Sequence, residues 1–104
     1  MKNNKSIKKV IGYCPVDSGQ IFIIDPCYLS EWKDGEAYPE KPDGNHYSKC
    51  CEVTNNKDSG GEVLVSAVAG KGVAVSSGLG DGLYPVIATY DKDGIVKKIE
   101  VKFM

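Results

Sequence analysis

Residues 83–103 read LYPVIATYDKDGIVKKIEVKF, and this stretch decides the fold class. Two runs rich in β-branched and aromatic residues flank Asp91-Lys92-Asp93-Gly94, the composition of two strands joined by a short loop. Gly94 supplies the positive-φ residue that such a loop wants. In the second run Ile95, Ile99, Val101 and Phe103 share one parity, Lys97 being the exception. Lys98, Glu100 and Lys102 share the other. Side chains alternate across a strand, so this pattern gives one apolar and one charged face. Pro85 cannot donate to a ladder, which predicts an edge strand or a bulge at that position.

Upstream, EVLVSAVA (62–69) and VAVSSG (73–78) flank a Gly-Lys-Gly turn. Both are apolar at nearly every position, which predicts strands covered on both faces. IKKVIGYCPV (7–16) and QIFIID (20–25) are separated by Asp-Ser-Gly and predict a hairpin. YSKCCEVT (47–54) predicts a further short strand. Between them Asp25 can cap and Pro26 can open a helical turn or two, with Leu29 and Trp32 on one face and Gly35 as the stop. Residues 1–6 read as a flexible basic arm and 34–47 as a long surface loop. The sum is a single all-β domain over 1–104, mainly antiparallel, with about seven strands and one short helix after strand 2. A small sandwich or partly open barrel is the expected architecture.

The composition narrows the function classes. Thirteen basic and fourteen acidic residues leave a net charge of -1, so no overall field recruits DNA, RNA or an anionic membrane. No window approaches the roughly 20 apolar residues of a membrane-spanning helix. The basic opening lacks a sufficient apolar stretch before Gly12 and Pro15, which argues against a signal peptide and for a cytoplasmic location. Cys14, Cys27, Cys50 and Cys51 are then expected as thiols. In a strand, Cys50 and Cys51 would point to opposite faces and share no metal.

Each chemically suggestive residue has a plain alternative. His46, the only histidine, lies in the Pro/Gly-rich loop and reads as an exposed loop residue rather than a base or ligand. Cys27 would sit in the first turn of the short helix, where the backbone dipole lowers a thiol pKa. Asp17, Asp25 and Asp81 lie at strand ends beside Gly or Pro, where carboxylates bond backbone amides. The segment SSGLGDGLYP (76–85) contains clustered glycines, yet a strand with Pro85 follows where a dinucleotide or P-loop motif needs a helix. What remains is a turn whose exposed amides can meet an anion or carbonyl.

VDSGQ (16–20), DPCY (25–28), GDGLYPV (80–86) and YDKDG (90–94) together form a pattern that resembles small phage and bacterial proteins near the domain-of-unknown-function family DUF4241. That resemblance carries no activity. It implies a small cytoplasmic protein of phage or mobile-element setting, acting in the host cytoplasm. If the DPCY and GDG turns lie together, Asp25, Cys27, Tyr28, Ser77, Gly80, Asp81 and Tyr84 would line one ligand-binding rim. The expected function is a non-enzymatic binding protein that counters host defence, by sequestering a small polar or nucleotide-like ligand or by masking a host protein. No cofactor and no metal is expected; a homo-oligomer through the Pro-marked edge is open. The alternatives are a small hydrolase using Cys27 or Asp81, or a structural or assembly protein. Sequestration needs a concave rim with aromatic stacking. Masking needs an exposed apolar patch or a free edge strand.

Overall fold

A computed structural model describes residues 6–32, 46–66 and 70–103. They form six strands: β1 (Ile7–Val16), β2 (Gln20–Ile23), β3 (Gly60–Leu64), β4 (Lys71–Ser76), β5 (Gly82–Tyr90) and β6 (Val96–Val101). A 3-10 helix, η1, spans Pro26–Glu31, and α1 spans His46–Thr54. The fold is mostly antiparallel β, in two open three-stranded sheets ordered β1-β5-β6 and β2-β4-β3.

The β5–β6 hairpin forms as the alternation predicts, and β3 pairs with β4, but Lys71 and Gly72 of the expected Gly-Lys-Gly turn lie within β4, opposite Leu64 and Val63. Asp91 closes the former by accepting from the amides of Asp93 at 2.8 Å and Ile95 at 3.0 Å, and Gly94 has φ of 83°. β1 and β2, by contrast, are not a hairpin. β1 pairs with β5, ending at Val16–Gly82, and β2 pairs with β4, starting at Gln20–Ser76. The chain passes straight from one sheet to the other, because each strand finds a longer partner far away in sequence. Residues 17–19 and residues 77–81 therefore cross the same waist side by side.

Three further expectations are corrected. Residues 47–54 lie in α1, not in a strand, because His46, Cys50 and Val53 recur at helical spacing and turn toward the second sheet. Thr54 ends α1 by donating its hydroxyl to the Cys50 and Cys51 carbonyls. β3 and β4 are covered on one face only: Val63 and Ala74 are buried while Leu64 and Val73 are exposed. Pro85 sits in the central strand β5, with no register shift beside it. It is tolerated there because its carbonyl accepts from Lys102 just past the end of β6, and backbone N–H and C=O of one residue face the same side. The missing donor thus falls where the β6 ladder has stopped.

The Asp25-Pro26 start holds: the Asp25 carboxylate accepts from the Cys27 amide at 3.0 Å. The helix ends earlier than Gly35, with Trp32 donating its amide to the Leu29 carbonyl. Trp32 packs on Phe22 at 5.1 Å while Leu29 is exposed, so the two do not share a buried face. Of the expected arm and surface loop, residues 1–5 and 33–45 lie outside the described residues.

The buried cluster belongs to one sheet. Cys50, Val63, Val65 and Ala74 form it, with Phe22, Ile24, Tyr28, Trp32 and Val53 packed around them. β1, β5 and β6 contribute nothing to that cluster and carry half of the large exposed apolar side chains.

Candidate functional site

The glycine-rich waist is built around one carbonyl. Gly78 and Gly80 take φ of 76° and 102°, conformations that L side chains disfavour, and so turn 77–81 back on itself. The Gly80 carbonyl then accepts from the Ser77 hydroxyl at 2.6 Å and the Tyr84 hydroxyl at 2.7 Å. Ser77 donates its amide to the Gly19 carbonyl at 2.9 Å, tying the two crossing segments together. Tyr84 is buried and meets Phe103 edge-on at 5.3 Å. Ser77, Gly80 and Tyr84 are thus gathered, but their polar groups satisfy one another. Asp81 is exposed at the same turn.

Asp25, Cys27 and Tyr28 are elsewhere. The register places Ser76 opposite Gln20 and Val73 opposite Ile23, so DPCY follows the far end of the β2–β4 ladder. Three residues of strand separate the two ends by about 10 Å, and Tyr28 of η1 meets Gly70, just before β4 begins. The seven residues expected to share one rim are therefore split between opposite ends of the second sheet. Tyr28 packs into the core cluster, against the small Gly70, where an added Cβ would lie 2.5 Å from its ring.

Neither Cys27 nor His46 has the setting first expected. The Cys27 thiol is pushed above its ordinary value by partial desolvation, then by the Asp25 carboxyl beside it. That acceptor and its charge outweigh any benefit from a six-residue 3-10 helix. His46 is buried at the start of α1, with its ring 5.5 Å from that of Trp32, and is no exposed loop residue. Cys50 points into the core, where burial and then the neighbouring Cys51 raise its thiol to about 11. Cys51 is half-buried and accepts from the Gln20 amide at 3.4 Å.

The feature that sequence reasoning did not locate is a face of the first sheet. Residues directly opposite in a ladder lie on the same face, as do alternate residues along a strand. Val10–Ile87, Tyr13–Pro85 and Pro15–Leu83 are cross-strand pairs, and Leu83, Pro85 and Ile87 alternate along β5. The irregularity between Val10 and Gly12 keeps Tyr13 and Val10 on this common face. Six apolar side chains thus form one patch, in which Tyr13 is 60% and Leu83 64% exposed. On the β6 side it is bordered by Lys98 and Glu100, with Lys102 opposite Pro85. The signal was in the sequence as apolar residues of the odd parity in β5, but only the register joins them to Val10, Tyr13 and Pro15.

These features define a small, mostly antiparallel β protein in which, among the described residues, one sheet is covered and the other bears an exposed apolar face. Residues 4–101 match the family described as Protein of unknown function (DUF4241), and the chain belongs to that family. No curated protein and no solved structure matches it. No helix among the described residues is long and apolar enough to cross a membrane.

Proposed function

We propose that the protein is a non-enzymatic binding module that masks a partner protein through the β1–β5 face of its first sheet. The observation that carries this reading is the contiguous patch Val10–Ile87, Tyr13–Pro85 and Pro15–Leu83, exposed at its centre and rimmed by charge. Apolar patches so rimmed are the usual mark of a protein interface. Masking is favoured over ligand sequestration because the stacking and amide groups proposed for a ligand rim lie at opposite ends of one sheet. It is favoured over a thiol hydrolase because the Cys27 thiol is raised above its ordinary value, by desolvation first and then by Asp25, where a nucleophile needs it lowered. In the phage setting that the sequence pattern implies, the masked partner would be a host protein of a defence system.

A photo-crosslinking residue placed at position 83 tests the reading in living cells, with the same residue at exposed Lys57 as control. A discrete adduct from position 83, lost on Tyr13→Ser, is expected. Adducts of equal yield from both positions, or none from 83, would rule the face out. A panel of mono- and cyclic nucleotides is expected to leave the melting temperature unchanged; a concentration-dependent rise would restore sequestration.

A further inference from the structure

We propose that the segment docking on this face is acidic as well as apolar, and that its carboxylate is received by Thr89 between Lys8 and Lys98. This rests on the docking reading and adds the partner's chemistry to it. Thr89 follows Leu83, Pro85 and Ile87 on the same face of β5, with Lys8 directly opposite on β1 and Lys98 directly opposite on β6. The residue is only 7% exposed, and its hydroxyl has no hydrogen-bond partner. A buried hydroxyl without a partner is costly, and its cross-strand neighbours on both sides are lysines. An incoming carboxylate answers all three groups at once.

The charge on the face selects against other occupants. Lys8, Lys98 and Lys102 face a single acid, Glu100, so three positive charges against one leave an excess of two. A second copy docking face to face would oppose like charges, and a basic segment would do the same. Lys8 reaches Glu100 at 3.5 Å, but both side chains are well exposed, and such a pair is weak enough to yield to a new partner. The spacing is equally definite. Leu83 to Thr89 is six residues of strand, about 20 Å, and Ile87 to Thr89 is about 7 Å. The docking segment is therefore extended. Its acid lies about two residues beyond the apolar side chain that covers Ile87 and Val10.

Synthetic extended peptides test this, each with alternate leucines and one glutamate two residues beyond the last. An otherwise identical set carries glutamine instead. Fluorescence anisotropy is expected to show the glutamate peptide binding at least about tenfold tighter, as a hydrogen bond to a charged group requires. Thr89→Val removes the orphaned hydroxyl at nearly constant shape. It should raise the melting temperature, weaken the glutamate peptide about tenfold and leave the glutamine peptide unchanged. Equal binding of the two peptides, no binding of either, or a Thr89→Val variant that binds like the parent would each overturn the acidic partner. Self-association that disappears on Leu83→Ser would overturn it in favour of a second copy. If Leu83→Ser leaves the binding of both peptides intact, it is the docking face itself that fails.

Discussion

The two sheets are close counterparts, each of three antiparallel strands with a long central one, yet they are finished differently. The sheet β2-β4-β3 is covered by α1 and η1 and owns the buried cluster. The sheet β1-β5-β6 has β-branched and aromatic residues of the same kind, with Ile7, Val10, Tyr13, Leu83 and Ile99 more than half exposed. Apolar content alone therefore does not separate the core from an exposed face; among the described residues, what separates them is the cover that α1 and η1 give to one sheet. Stability should reside in β2-β4-β3, and the proposed docking falls on β1-β5-β6.

The strongest way to break that contrast is Gly72→Val. A Cβ there would strike the Ile23 carbonyl and lie 2.7 Å from the Phe22 ring, so β2 must shift off β4. A loss of about 3 kcal/mol is expected, read as a fall in melting temperature of roughly 15 °C. A loss well under 1 kcal/mol would show that the covered sheet is not the stable half. Tyr84→Phe probes the waist instead. It deletes one of the two donors to the Gly80 carbonyl, and Ser77 still satisfies that oxygen, so about 1 kcal/mol is expected in denaturant titration. Leu83→Ser sharpens the contrast from the open side: stability should stay within about 0.5 kcal/mol of the parent, because the side chain is already in water. A large destabilisation would mean that the patch is packed.

The smallest effect is one of pH. The Asp91 carboxyl is held below the usual carboxylate range, chiefly by the Ile95 amide that donates to it, against a slight desolvation. A depressed folded value means the contribution is fully present above the unfolded value near 3.9. It is lost as the pH falls through the lower folded value. Amide exchange at Ile95 should accelerate over that acidic window and not at neutral pH. Asp91→Asn should remove the dependence; a dependence that persists in the variant would assign it to another group.

Legibility in the sequence followed the range of the interactions. The β5–β6 hairpin was readable because alternation, Gly94 and Asp91 all lie within one short stretch. The cap at Asp25 was readable for the same reason. β1–β2 was misread because Asp-Ser-Gly has good hairpin chemistry, whereas the actual partners are 50 or more residues away and leave no local mark. α1 was misread because Tyr47, Cys50, Cys51, Val53 and Thr54 suit a strand individually; the spacing of His46, Cys50 and Val53 was the helical signal. The expected rim failed on geometry, since two turn motifs can mark either end of one ladder. The candidate face became visible only when the register joined β1 to β5.

The route of the chain through the waist has a genetic meaning. Residues 20–76 build the whole covered sheet with its helices, and they leave and return at the adjacent pair Val16 and Gly82. The open sheet is made from what lies on either side, 7–16 and 82–101. In topology the covered half is thus an insert nested within the open half, entering and leaving at a single ladder position. Such an arrangement would let the covered half be replaced as one contiguous block with the open half left intact, whereas the open half is encoded in two pieces.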